Sequence, residues 1–250
     1  MAHVNVQPTE TNRMIHDTID LKVFKAEELA NAAAAYLYEK ITATISRKGN
    51  CNIAISGGST PWVAFGLLAK THIDWDKLHL FFVDERTVPV DSPDSSYGTL
   101  MKNSLSEVIP ATNIHRYKGE INPAQAAADY SDEIKAHFGT DEPVFDIIHL
   151  GMGDDGHTAS LFPDTAGLDQ GGIAIANHVP KLDTWRLTLT RDTINRADHV
   201  VFILGGAGKA QVLKDVLYGP YVPSTLPIQL IQPMSTPVFL ADEAATGLIV

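Results

Sequence analysis

The chain of 250 residues contains a single cysteine, Cys51, so no disulfide can form within it. That suits a reducing compartment. Cys51 opens an apolar run and reads as a buried structural thiol, not a nucleophile. Long apolar stretches are also missing, and none approaches the roughly 18 residues that a membrane span requires. Residues 1–17 lack a basic head followed by an apolar segment, so they do not read as a secretory signal. Positive charge is scarce: 19 Lys and Arg stand against 30 Asp and Glu, for a net charge of −11. Nucleic acid and anionic membrane are therefore excluded as main partners, because both demand a basic surface. A small anion is not excluded, since a few cations inside one cleft suffice. The expectation is a cytoplasmic protein, a monomer or weak homo-oligomer.

Several chemical signatures are absent as well. No Gly-x-Ser-x-Gly elbow occurs, which argues against a hydrolase of the Ser-His-Asp kind. There is no His-Glu-x-x-His and no cysteine–histidine cluster, so no metal ligand set is legible. Neither the P-loop nor the G-x-G-x-x-G pattern appears.

What is present is an alternation of short apolar runs with helical patterns. Strands are predicted at 21–24, 51–56, 78–83, 145–150, 173–179, 186–189, 199–204 and 238–241. Helices are predicted at 27–47, from the turn at residues 57–61 to about 69, and at 123–138, 209–217 and 242–248. Residues 84–96 read as a polar loop. This rhythm implies an α/β fold, a mostly parallel Rossmann-like sheet with helices on both faces. One domain spans residues 1–250, with residues 1–19 as a flexible N-terminal extension.

Strand, glycine-rich turn and helix follow one another three times. In open α/β sheets such turns gather at the carboxyl ends of the strands, where ligands bind. Gly57-Gly58-Ser59-Thr60 then forms an anion cradle, with hydroxyl donors and a helix N-terminus. Arg86, after the strand ending at Val83, offers a bidentate anion partner, and Asp84 or Glu85 a partner for a sugar hydroxyl or another side chain. Lys209 and Arg186 are further cations for a phosphate. Gly151-Met152-Gly153-Asp154-Asp155-Gly156-His157 is the most informative segment. A histidine in such a turn is an exposed base with an ordinary pKa of about 6.5, and Asp155 can orient it. By themselves these residues define a phosphosugar site with a titratable histidine, and they leave the reaction open.

Three motifs carry a resemblance. They are Ile55-Ser56-Gly57-Gly58-Ser59-Thr60-Pro61, Phe82-Val83-Asp84-Glu85-Arg86 with Ser92-Pro93-Asp94-Ser95-Ser96-Tyr97, and Gly151 through His157 continuing into Thr158-Ala159-Ser160-Leu161-Phe162-Pro163. In order and spacing they resemble the 6-phosphogluconolactonase family from about residue 20 onward. The resemblance implies a fold of the glucosamine-6-phosphate deaminase/ribose-5-phosphate isomerase type. It implies hydrolysis of 6-phospho-D-glucono-1,5-lactone to 6-phospho-D-gluconate in the oxidative branch of the pentose phosphate pathway, without cofactor or metal. Carried over by position, His157 is the base, Gly57, Gly58 and Ser59 line the substrate site, and Arg86 and Lys209 hold the phosphate. Arg186-Leu187-Thr188 falls where the family shows Arg, an aliphatic residue and Thr. An amino-sugar-phosphate deaminase or isomerase with Asp84 as base is the rival on this fold, and a sugar-phosphate sensor a third reading. Arg86 in place of a tyrosine, and the residues after His157, favour the lactonase.

Overall fold

Apolar continuity decides where the strands lie and where the sheet is covered. Cys51–Ile55, Ile147–Leu150 and Val238–Asp242 are buried at every position, as strands packed on both faces must be. The computed structural model describes residues 2–6 and 19–249. In chain order the elements begin with β1 (Ala2–Val6), β2 (Ile19–Phe24), α1 (Ala26–Lys48), β3 (Cys51–Ile55) and α2 (Ser59–Leu68). Next come β4 (Leu78–Phe82), β5 (Asp84–Arg86), α3 (Ser96–Leu100), α4 (Leu105–Val108), β6 (Ile114–His115) and α5 (Pro123–Phe138). The last are β7 (Ile147–Leu150), β8 (Ala174–Val179), β9 (Thr184–Leu189), α6 (Arg191–Asn195), β10 (His199–Leu204), α7 (Ala210–Tyr218), β11 (Val238–Asp242) and α8 (Glu243–Thr246).

Eight strands form one sheet in the order β1-β2-β11-β10-β7-β3-β4-β6. Only the β1–β2 pair is antiparallel. From β3 the chain moves outward through β4 and β6, and then β7 returns to the other side of β3, with β10 and β11 following outward. The strand order therefore reverses between β3 and β7. At such a reversal the helices leave in opposite directions and open a crevice at the carboxyl ends of the strands.

A second, antiparallel sheet of order β5-β9-β8 stands beside this crevice. It corrects the expectation of a polar loop over residues 84–96, because Asp84–Arg86 is a strand. Val83 makes the handover between sheets: its N–H donates to Ile55 O at 2.8 Å and its carbonyl accepts from Leu189 N at 2.8 Å. Three charged residues have no apolar period, so only the partner strand reveals them as β structure.

Helix α1 follows its pattern, with Leu29, Ala33, Leu37 and Ile41 buried along one face. Gly49, at φ 88°, ends it in the left-handed conformation that glycine accepts without cost. Glu27 and Glu28 in the first turn and Arg47 and Lys48 in the last complement the helix dipole. Lys48 Nζ reaches Asp146 Oδ1 at 2.5 Å and Asp198 Oδ2 at 2.7 Å, tying the helix end to the segments that enter β7 and β10.

The flexible extension expected at residues 1–19 includes β1, paired with β2 in the register Ala2↔Val23 to Val6↔Ile19. Residues 1 and 7–18 of that expectation lie outside the described residues. Among the described residues no helix is long and apolar enough to cross a membrane.

Candidate active site

The crevice at the strand reversal is a cleft of about 460 Å³, inside the range of small-molecule sites. Its walls are the turn after β3, the residues of β5, the loop after β7 and the turn after β10. Gly57, Gly58, Ser59, Thr60, Asp84, Arg86, His157 and Lys209 all line it, as the sequence predicts. Two predicted residues stand behind the lining. Asp155 backs His157, and Arg186 lies beside Arg86 on the neighbouring strand.

The turn after β3 is shaped for close backbone approach. Gly58 has φ 141°, which disfavours any other residue, and no side chain caps the helix that follows. The first N–H groups of α2 therefore face the cleft without an internal partner, which is the arrangement that attracts an anion.

The loop after β7 folds on itself. Gly153 N donates to His157 O at 2.7 Å, and Thr158 Oγ1 donates to Gly151 O at 2.7 Å. His157 then lies against Phe162, with ring centroids 4.1 Å apart and planes at 20°. Its Nδ1 is 2.5 Å from Asp155 Oδ1, and Lys181 Nζ is 3.4 Å from Asp155 Oδ2. Burial raises the Asp155 carboxyl, but the hydrogen bond and charge of His157, helped by Lys181, outweigh it and hold the pKa below its ordinary value. An ionised carboxylate only accepts, so Nδ1 carries the proton and Nε2 keeps its lone pair.

The acidic pair on β5 has two distinct placements. Asp84 is buried, and it accepts from Ser56 Oγ at 2.5 Å and from Ser160 Oγ at 2.8 Å. It thereby joins the β3 turn to the segment after His157. Glu85 takes four donors: Arg86 N, Ser96 N, Tyr97 N and Ser95 Oγ. Burial still pushes its carboxyl above the ordinary value. Glu85 is the anchor of α3 and does not line the cleft.

Among the described residues, Arg86, Arg186 and Lys209 form no close ion pair with a carboxylate, although the charges of Asp84, Asp94 and Glu85 reach Arg186. Arg86 donates from Nη1 to the Asp94 carbonyl, which aims the guanidinium without neutralising it. Arg86 and Arg186 sit directly opposite each other in the β5–β9 register, where like charges repel unless an anion joins them. Burial, then the charge of Arg86, lowers the pKa of Arg186.

Residues 25–240 match the family described as glucosamine-6-phosphate isomerases/6-phosphogluconolactonase. The chain belongs to this family. A 6-phosphogluconolactonase of Synechocystis sp. is 39% identical over 224 residues, covering 87% of this chain and 92% of the relative. A probable 6-phosphogluconolactonase of Schizosaccharomyces pombe is 36% identical over 88% of this chain and 92% of its own. The solved structure of 6-phosphogluconolactonase from Trypanosoma cruzi superposes with a TM-score of 0.83 at 26% identity, over the full length of both chains.

In this member of the glucosamine-6-phosphate isomerase/6-phosphogluconolactonase family, several site residues escape sequence reasoning. Ser56 and Ser160 fix Asp84, Phe162 supports the His157 ring, and Lys181 braces Asp155. Asp242 accepts from Gly206 N at 2.8 Å and from Ala245 N at 2.7 Å, holding the β10 turn against α8. Ser56, Ser160 and Phe162 lie inside recognisable motifs and Asp242 at a predicted strand–helix junction, but Lys181 comes from a segment with no signal of its own.

His149 is fully buried under this site. Its Nδ1 accepts from Ser56 N at 3.3 Å, so its proton sits on Nε2, which has no partner among the described residues. Burial pushes its pKa down to about 3, from 6.5. The unfolded chain therefore binds a proton that the folded chain refuses between those values. The resulting stability is complete above pH 6.5 and is lost as pH falls toward 3, at up to about 1.4 kcal/mol per pH unit. Denaturant midpoints from pH 7 to pH 4 are expected to fall less steeply for His149→Leu than for the wild type. Parallel profiles would show that His149 is not the group responsible.

Proposed function

We propose that this protein hydrolyses 6-phospho-D-glucono-1,5-lactone to 6-phospho-D-gluconate, without a cofactor, in the oxidative branch of the pentose phosphate pathway. The observation that carries this reading is the pairing of a carboxylate-oriented histidine with unneutralised cations in one cleft of a chain whose net charge is −11. The relatives named above are lactonases acting on such a substrate by their names.

In this mechanism a water lies between His157 Nε2 and the lactone carbonyl carbon. His157 takes the proton as the water oxygen bonds to C1, and Asp155 stabilises the imidazolium. The carbonyl electrons move onto oxygen, where N–H groups of the glycine turns receive the negative charge. When that oxyanion collapses, the C1–O5 bond breaks and His157 returns the proton to O5. The product acid then ionises in water. Asp84, with one hydroxyl already on each oxygen, positions the Ser56 and Ser160 segments around the substrate.

The phosphate, far from the reacting carbon, is held by Arg86 and Lys209, which anchor it alike in ground and transition states. Arg86→Ala and Lys209→Ala are each expected to raise KM about ten- to a hundred-fold, the worth of one charge-assisted hydrogen bond. Their kcat should change little, because the contact is equal in ground and transition states. An unchanged KM in both variants would move the phosphate elsewhere.

We read the protein as a monomer or weak homo-oligomer of the cytoplasm, a reducing compartment where a buried free thiol such as Cys51 persists. The reading is tested by generating the lactone in place with glucose-6-phosphate dehydrogenase and following its loss. Acceleration over spontaneous opening is expected. Ammonia release from glucosamine 6-phosphate would instead make the protein a deaminase, and stabilisation by 6-phosphogluconate with neither activity would make it a sensor.

A further inference from the structure

Three histidines meet at the edge of the large sheet, away from the cleft. His79 is near the start of β4, His115 is on the two-residue edge strand β6, and His137 is in the last turn of α5. One nitrogen from each lies within 4.8 Å of the others. His79 Nδ1 and His115 Nε2 are 3.2 Å apart. Two nitrogens on one tetrahedral zinc ion, with bonds of about 2.0–2.1 Å, stand about 3.3 Å apart. The pair is thus already at ligand spacing, and His137 has only to move inward.

Each of the outer two rings is oriented by an acceptor. His115 Nδ1 is 2.7 Å from Glu133 Oε1, and His137 Nε2 is 2.8 Å from Asn52 Oδ1. Both oxygens take an N–H, which leaves lone pairs on His115 Nε2 and His137 Nδ1. A carboxylate or carbonyl on the far nitrogen is the usual partner of a metal-bound histidine, since it fixes the tautomer and raises basicity. Phe81 lies flat against His115, with centroids 4.1 Å apart and planes at 8°, and restrains that ring further.

We propose that His79, His115 and His137 form a binding site for a divalent d-block cation, Zn²⁺ in the first instance, that fastens β6 and α5 to β4. An all-imidazole set selects zinc, nickel or copper over magnesium and calcium. Water completes the fourth position, and Glu133 stays on His115 Nδ1. The three residues come from well-separated parts of the sequence, so no spacing motif announces them. The site is independent of the proposed lactonase chemistry, because none of the three histidines lines the cleft.

The test uses the full chain carrying His157→Ala, so that the cleft histidine cannot compete for metal. The protein is stripped with chelator and titrated with Co²⁺. One equivalent is expected to bind with the intense visible bands of four-coordinate cobalt, and Zn²⁺ should displace it. Adding His115→Ala should abolish those bands and lower bound cobalt at least tenfold. His137→Gln, milder and at a helix end, should weaken binding at least tenfold if His115→Ala does not fold. Zn²⁺ should also raise the Tm of the parent and leave that of the folded variant unchanged. Absence of cobalt bands in the parent, or equal bands in the parent and both folded variants, overturns the proposal.

Discussion

His157→Ala is expected to lower kcat for lactone hydrolysis by about a hundred- to ten-thousand-fold, the usual worth of a positioned general base and acid. KM should move less than twofold, because the ring sits at the reacting carbon while binding energy comes from the phosphate end. The expectation follows from the tautomer. Asp155 Oδ1 fixes the proton on Nδ1, so Nε2 is the only basic atom that the ring can present. Phe162 keeps the ring from swinging out of the cleft. Asp155→Asn should fall between the variant and the wild type. The amide can still accept from Nδ1, but it cannot stabilise the imidazolium, and it can rotate to donate and so favour the wrong tautomer. Stopped-flow assays that subtract spontaneous ring opening give both constants. A kcat for His157→Ala near that of the wild type would remove the histidine from the mechanism.

The features legible in the sequence share one property: they are local. The strand at residues 199–204 and the helix at residues 123–138 stand in the structure at those bounds, because an apolar run, or a proline start with a glycine stop, is written in consecutive residues. The same holds for the cleft residues Gly57 to Thr60, Gly151 to Asp154 and His157, in turns that follow strands. What was not legible depends on distant partners. Asp84–Arg86 becomes a strand only because β9 pairs with it, and that pairing sets Arg186 beside Arg86 and outside the cleft lining. Glu85 looked equivalent to Asp84 in the sequence. The fold sends one carboxylate toward the hydroxyls of Ser56 and Ser160 and the other toward the N–H groups of α3. The His79, His115 and His137 cluster is the extreme case, since three elements must assemble before it exists.

Gly153 gives the second large effect, and it separates geometry from chemistry. Its φ is not in the left-handed region, so alanine imposes no backbone strain there. A Cβ at this position would, however, overlap His157 Nδ1 and Cε1 and lie 2.8 Å from Asp155 Oδ1. The His157 ring must then leave both Asp155 and the face of Phe162. Displacement of a reacting group by about 1 Å costs on the order of a hundredfold in rate, so Gly153→Ala is expected to lose about that factor in kcat with every catalytic atom still present. KM should hold, and Tm should fall by only a few degrees, because the side chain that yields is partly exposed and not part of the core. Gly171→Ala, where a Cβ meets open space, is the matching substitution with no expected effect on rate. If Gly153→Ala turns over at the wild-type rate, the contact between His157 and Asp155 is dispensable, and the base must work from another position in the cleft.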